Sequence, residues 1–88
     1  MFYVYVLYSV KDKGLYIGFT SDLKRRIIEH RNKSVRSTRS RLPIKLIYYE
    51  AFLILEDAKA REKYLKSGYG RTQLKSILKV LFKKLIIR

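Results

Sequence analysis

The sequence contains no cysteine, a single histidine and only seven acidic residues among its 88. Without cysteine, disulfide bonds and thiolate zinc sites are excluded, and one histidine cannot build the usual kind of zinc site either. No apolar run approaches the roughly 20 residues that a membrane-spanning helix needs. The N-terminus lacks the basic region and the cleavage site of a signal peptide. We therefore expect a soluble protein of the cytoplasm.

The few acidic residues are set against a large excess of basic ones. Twenty-one Lys and Arg residues give a formal net charge of +14, far more than solubility requires. Such a surface favours a polyanionic partner, and nucleic acid is the first expectation, DNA before RNA. An anionic membrane surface is the second. At this length we expect one domain, residues 1–88, acting as a monomer or a weak homodimer through Ile86 and Ile87.

The hydrophobic pattern predicts three strands and three helices in the order β-β-α-β-α-α. This is an α+β fold, a three-stranded antiparallel sheet with helices packed on it. The predicted strands are Phe2–Tyr8, Leu15–Phe19 and Ile44–Phe52, and the predicted helices are Thr20–Arg31, Leu55–Lys66 and one that starts after a Tyr69–Gly70 joint and reaches Ile86.

Three details of this pattern are specific enough to test. The first strand is apolar on both faces, which is typical of a central strand. Gly14 and Gly68 are expected to supply positive φ angles, one in the first hairpin and one at a helix end. The amphipathic, basic C-terminal helix fits a membrane surface, but an 88-residue domain is expected to need it for its core.

One strand-to-helix corner, residues 15–30, concentrates polar chemistry. Tyr16 and Gly18 share one face of the strand, and Arg26 and His30 are four residues apart on the helix, hence on one helix face. Both lie beside the apolar stripe of that helix, so we expect partial burial at a cleft. A partly buried arginine needs an anion, and a phosphodiester would serve.

Tyr5 and Tyr16 are brought near each other if the first two strands pair. Each could be an ordinary buried tyrosine. As catalysts, they would need a neighbouring cation or metal to lower the pKa of the phenol. His30 has an equally ordinary alternative as a hydrogen-bonded structural residue.

Glu62 is the last carboxylate of the chain and shares the predicted sheet-facing side of its helix. It could pair with Lys66 on the surface, form a salt bridge with Arg26, or help to hold Mg²⁺ (or Mn²⁺), which takes one or two carboxylates with water and phosphate oxygens. The residues alone leave these possibilities open.

Residues 32–42 form a predicted loop without any carboxylate. Its serines and threonines lie among basic residues, a composition that suits contacts to a phosphate backbone. Such contacts provide affinity without sequence specificity. The basic residues are Lys33, Arg36, Arg39 and Arg41.

Two tyrosine motifs carry a resemblance to a known family. Tyr3-Val4-Tyr5, ten residues, then Tyr16-Ile17-Gly18, followed by Arg26, His30 and Glu62, resembles the GIY-YIG nuclease superfamily. Over about the first seventy residues the chain is similar to its small stand-alone members and to the catalytic domain of the nucleotide-excision-repair endonuclease subunit. The stretches LYIGFTSDLKRR, PIKLIYYE and AREKYLKSG carry most of this likeness.

The resemblance implies metal-dependent phosphodiester hydrolysis, with DNA repair as one setting. It implies that Glu62 binds the metal, that Arg26 stabilises the phosphate, and that Tyr5, Tyr16 or His30 activates the attacking water. Gly18 would allow close approach at the site. The sequence departs from the family at Tyr3, where the first motif has glycine, and at Phe19, where some relatives have lysine. Gln73 is the candidate for a polar residue that some relatives place at the edge of the site.

Overall fold

The computed structural model describes the backbone of residues 1–87 and the side chains of residues 1–85. The described residues form β1 (Phe2–Ser9), β2 (Leu15–Thr20), α1 (Leu23–Arg31), β3 (Ile44–Phe52), α2 (Leu55–Lys66), α3 (Gly68–Ile77) and α4 (Lys79–Ile87). The predicted α+β class and the order of the elements are confirmed, except that the last predicted helix is divided into α3 and α4.

The sheet has the order β2-β1-β3 with both pairs antiparallel, so β1 is central, as its apolar pattern predicts. The hairpin between β1 and β2 does not use glycine as expected. Lys13 takes the positive φ of 64°, whereas Gly14 has none. The N–H of Gly14 instead donates to Asp12 Oδ1 at 2.7 Å, an Asx-type contact that closes the turn.

The two faces of β1 build two separate cores. On one face Val4, Val6 and Ile17 pack with residues of α2 and α3, namely Ala58, Leu65 and Leu74. On the other face Tyr5 and Leu7 pack with Ile27 of α1 and Ile44 of β3. The sheet therefore lies between α1 on one side and α2 with α3 on the other. An irregularity in the β1–β3 register, between Val6 and Leu7, accompanies the change in pairing along β3.

The junction between α2 and α3 differs from the prediction. Gly68 does not take a left-handed C-cap conformation, and Tyr69 and Gly70 lie inside α3 rather than in a joint. Ser67 caps the new helix, because its side chain accepts the N–H of Gly70 at 3.2 Å. Gly70 is needed for a different reason: a Cβ there would overlap the carbonyl oxygen of Tyr64, so glycine lets α3 approach α2 closely.

The C-terminal helix contributes less to the core than expected. Leu74 of α3 is fully buried and Leu78, between α3 and α4, packs on the core, but no described side chain of α4 is fully buried. The dimer contact expected at Ile86 and Ile87 lies outside the described side chains. Within residues 1–87 no helix combines the length and the apolar character that crossing a bilayer requires.

Candidate nucleic-acid cleavage site

The site is assembled where β2 turns into α1. Thr20 accepts the N–H of Asp22 at 3.0 Å, and the carboxylate of Asp22 accepts the N–H of Arg25 at 3.1 Å. Asp22 is thus the N-cap of α1, which satisfies one of the free N–H groups of the first turn. This cap fixes the start of the helix and hence which residues face the sheet. Arg26 and His30, one turn apart, both face Tyr5 of β1.

A buried chain of hydrogen bonds runs through His30, which is fully buried. The Tyr5 hydroxyl lies 2.8 Å from His30 Nε2, and His30 Nδ1 lies 2.7 Å from the hydroxyl of Thr38. We assign the Tyr5 O–H as donor to Nε2 and the Nδ1–H as donor to Thr38, because this tautomer gives each proton of Tyr5 and His30 an acceptor. The loop residue Thr38 therefore fixes the orientation of the imidazole ring.

Arg26 also contacts the hydroxyl of Tyr5. Its Nε donates to the Tyr5 hydroxyl at 3.4 Å, and its Nη1 donates to Glu29 at 3.0 Å. These contacts raise the pKa of Arg26, the bond to Tyr5 most of all, while Arg26 and Arg25 lower the pKa of Glu29. The guanidinium is held in place, yet its side chain keeps 35% of its exposure. It can therefore still bind an anion.

The exposed part of Arg26 opens into a cavity of about 310 Å³, which we call the site cavity. Residues 19–22, Arg25 and Glu29 complete its lining. The free N–H groups at the start of α1 add partial positive charge at this end of the helix. The site cavity therefore joins a fixed guanidinium to a helix N-terminus, an arrangement suited to a phosphate group.

Burial keeps both members of the Tyr5–His30 pair neutral. It raises the pKa of Tyr5 to about 12, and the hydrogen bond from Arg26 only partly opposes this. Burial, and then the charge of Arg26, lowers the pKa of His30 to about 4. A phenol this hard to ionise and an imidazole this weakly basic are poor proton acceptors at neutral pH. Their geometry suits the positioning of Arg26 instead.

Tyr16 packs against this pair from β2. Its ring centroid lies 5.2 Å from that of His30 and 6.3 Å from that of Tyr5, both at tilted or edge-on angles. Gly18, two residues along the strand, pairs directly with Tyr5 in the sheet. A Cβ on Gly18 would overlap the Cζ and the hydroxyl of Tyr5, so glycine is what allows the tyrosine to lie across β2.

Glu62 lies on the predicted side of α2, between the buried Ala58 and Leu65, and its side chain keeps 24% of its exposure. The salt bridge to Arg26 that the sequence allowed is not formed, since Arg26 pairs with Glu29. Glu62 Oε2 instead lies 3.1 Å from Lys66 Nζ. Its charge nevertheless acts on the phenol of Tyr5, as a minor contribution to the raised pKa after burial.

The donor set around Glu62 limits the kind of metal site it could form. Among the described residues no group of three or more His, Cys, Asp or Glu side chains lies together. A closed structural site therefore does not fit. One partly exposed carboxylate does fit Mg²⁺, which usually keeps several waters and completes its shell with phosphate oxygens of a substrate.

The predicted 32–42 loop is packed against the rest of the fold. Two of its side chains, those of Val35 and Thr38, are buried, and a short 3₁₀ turn spans Arg39–Arg41. Arg41 is drawn into the fold, because its Nε donates to Asp12 Oδ2 at 2.7 Å. That pair holds the pKa of Asp12 at about 2 and ties the loop to the β1–β2 hairpin. Of the four predicted phosphate ligands, Lys33, Arg36 and Arg39 are exposed.

Sequence reasoning overlooked two residues of the site. Glu29 stands three residues after Arg26 and four after Arg25, the spacing of helical ion pairs, so its role could have been inferred. Thr38 gave no such signal, because a loop residue has no periodic relation to His30. Gln73, the predicted edge residue, is exposed on α3.

Comparisons with known proteins identify the family of this chain. A family model described as the GIY-YIG catalytic domain matches residues 1–75. A UPF0213 protein of Streptococcus pyogenes serotype M3 is 46% identical over 72 residues, which cover 81% of this chain and 77% of the relative. A UPF0213 protein of S. pyogenes serotype M5 is 44% identical over the same length and coverage.

A solved structure is similar as well. The solution NMR structure of a UPF0213 protein from Bacillus halodurans aligns with a TM-score of 0.55 at 38% identity, covering 88% of this chain and 85% of the other. The family match spans β1 to most of α3, and therefore includes every residue of the site described above. The chain belongs to the GIY-YIG family, with the UPF0213 proteins among its relatives.

Proposed function

We propose that this protein is a metal-dependent nuclease that hydrolyses phosphodiester bonds, in DNA first and in RNA second. The observation that carries the proposal is the Arg26 guanidinium, fixed by Tyr5 and Glu29 and open to the site cavity beside the N-terminus of α1. A fixed cation of this kind stabilises the negative charge that develops on a phosphate in the transition state. Membership of a family of catalytic domains supports the same activity.

Each residue of the site then has a distinct task. Arg26 binds the scissile phosphate. Tyr5, which is oriented by His30, holds Arg26 in position. Both groups are neutral, so they add no charge to the site. Tyr16 borders the pair from β2, and its hydroxyl is the proposed contact to the attacking water. We assign Tyr16 as the group that hydrogen-bonds to this water and orients it for attack, and a metal held at Glu62 would supply the positive charge that lets the water lose its proton to the solvent.

Glu62 is the proposed metal ligand. When bound there, Mg²⁺ or Mn²⁺ supplies a Lewis acid that polarises the phosphate and stabilises the leaving oxygen. Glu62 must be free of Lys66 to act in this way, and an exposed i,i+4 pair of this kind is worth only a few tenths of a kcal/mol. The ion pair is therefore easily exchanged for a metal.

The remaining basic surface holds the substrate. Lys33, Arg36 and Arg39 are exposed on the loop that also carries Thr38, so phosphate contacts and the orientation of His30 share one segment. Contacts to phosphates do not depend on the nucleotide sequence, and a net charge of +14 makes them strong at low salt. We expect low sequence specificity, with structured or single-stranded DNA as the first substrates to try.

The test is magnesium-dependent cleavage of labelled single-stranded, duplex, flap and branched DNA and matching RNA by Glu62→Gln and Glu56→Gln. Both variants remove one carboxylate from α2, but Glu56 is exposed in the first turn of the helix. We expect Glu62→Gln to lose cleavage by at least about a hundredfold at fixed Mg²⁺ while still binding. Glu56→Gln should cleave like the wild type.

The second candidate is a nucleic-acid-binding module without catalysis. The pairing of Glu62 with Lys66 favours it, since that contact occupies the carboxylate that the nuclease would need as its metal ligand. Binding by the wild type without cleavage of any substrate, in Mg²⁺ and in Mn²⁺, would establish this second function and refute the first.

A further inference from the structure

A second, larger cavity lies on the other side of α1. It has a volume of about 760 Å³ and runs between α1 and the sheet, and we call it the α1 groove. Tyr3 and Tyr49 form its sheet wall, with ring centroids 6.1 Å apart in an edge-to-face arrangement. Tyr49 is 52% exposed although it stands directly opposite the buried Tyr5. The groove thus displays an aromatic surface that the core does not use.

The helix wall of the α1 groove is apolar at its floor and basic at its rim. Ile28 is half exposed, and Lys24 and Arg31 stand one turn to either side of it, both exposed. Asp22 is the single acidic residue in the lining, and its carboxylate is engaged as the N-cap of α1. Aromatic rings bordered by cations match the two parts of a nucleotide, since a base stacks on the ring and a phosphate binds the cation.

The α1 groove continues the site cavity. The two cavities share Ser21 and Asp22, so they meet around the N-terminus of α1. A strand with one phosphate at Arg26 can therefore pass this helix end and enter the groove. In a duplex every base is stacked and paired, so only a single strand can offer a base to Tyr49 without unpairing.

We propose that the α1 groove binds one unstacked nucleotide of a single strand, its base on Tyr49 and its phosphates at Lys24 and Arg31. This rests on the proposed function, and it narrows the substrate to nucleic acid that is single-stranded beside the cleaved bond. Single-stranded ends, flaps and loops meet this requirement, and continuous duplex does not.

The test measures the affinity of Tyr49→Ala for a labelled single-stranded oligonucleotide and for a blunt-ended duplex of equal length, made from two annealed strands. Binding is followed by fluorescence anisotropy, with DNA and RNA versions of each. Two controls are built into the chain. Tyr49→Phe keeps the ring and should bind like the wild type. Tyr69→Ala removes another tyrosine, 84% exposed on α3 and outside the groove. We expect Tyr49→Ala to weaken single-strand binding about tenfold and duplex binding less than about twofold.

A second variant guards against misfolding of Tyr49→Ala. Ile28→Glu changes a half-exposed helix position and places a negative charge in the α1 groove, so it should also weaken single-strand binding selectively. Equal loss on single strand and duplex, or equal loss in Tyr69→Ala, would overturn the proposal. Cleavage by the wild type with unchanged single-strand binding in Tyr49→Ala overturns the groove and leaves the nuclease standing. Selective loss of binding without any cleavage by the wild type supports the groove and overturns the nuclease.

Discussion

The neutral, buried His30 makes the stability of the fold depend on pH in a defined window. Its pKa is lowered from 6.5 to about 4 in the folded protein, by burial first and by the charge of Arg26 second. Between these values the unfolded chain binds a proton that the folded chain does not. The free energy of unfolding must therefore fall as the pH is lowered through this range, and it is fully restored above about pH 7.

The size of this effect follows from the two pKa values. Lowering the pH from about 7.5 to about 5 should cost about 2 kcal/mol of unfolding free energy, since each pKa unit corresponds to about 1.4 kcal/mol. The charges around the ring are those of Arg26 and Glu29, and burial lowers the pKa more than Glu29 raises it. Carboxylates have ordinary pKa values of about 4, below pH 5, and the chain has a single histidine, so His30 dominates the change between pH 7.5 and pH 5.

Urea denaturation followed by circular dichroism at several pH values measures the effect. The matched variant is His30→Gln, whose amide can bond to Tyr5 and Thr38 but does not titrate. This variant should have a lower free energy of unfolding than the wild type at pH 7.5. That free energy should then change little between pH 7.5 and pH 5. If wild type and variant show the same slope in this window, or the wild type shows none, His30 is not buried as a neutral group and this reasoning is wrong.

Two further predictions follow from the close packing and the loop. Gly18→Ala should displace the ring of Tyr5, destabilise the fold by about 1–3 kcal/mol in urea denaturation and weaken cleavage; a variant as stable and active as the wild type would contradict the packing described at this position. Arg36→Ala and Arg39→Ala should each weaken nucleic-acid binding on every sequence and reduce the slope of log affinity against log salt by about 1, whereas an unchanged slope would mean that these residues do not contact phosphates.

Much of the fold could be predicted because its elements are locally encoded. The apolar residues on both faces of β1 indicated a central strand, and the structure places it between β2 and β3. The helix junction could not be predicted in the same way. From the sequence, Gly68 and Gly70 are expected to interrupt the helix. In the structure Gly70 lies inside α3, and because it has no side chain α3 can lie close to α2. The sequence shows that a glycine is present, but not that the backbone of another helix packs against it.

Part of the candidate site could also be predicted from local sequence patterns. Helical spacing placed Arg26 and His30 together, and strand pairing placed Tyr5 beside Tyr16. The contact of Thr38 with His30 and the ion pair of Arg41 with Asp12 could not be predicted in this way. Both depend on the path of the loop, which has no periodic pattern. The rise in the pKa of Tyr5 could not be predicted from the sequence either, since it depends on how completely the ring is buried.

The proposed nuclease requires a fixed guanidinium at the site cavity that acts on a phosphate. A comparison of Arg26→Ala with Arg25→Ala in single-turnover, magnesium-dependent cleavage tests this requirement. The two residues are neighbours on α1 and both pair with Glu29, but of the two Arg26 alone bonds to Tyr5. We predict that Arg26→Ala cleaves about 10²–10³-fold more slowly. Arg25→Ala removes a largely exposed charge from the lining of the same cavity, and it should lose at most about fivefold, because an exposed charge pair is worth about 1 kcal/mol or less. Equal losses in the two variants would mean that cleavage depends only on the total positive charge near the cavity, and would contradict a specific role for Arg26.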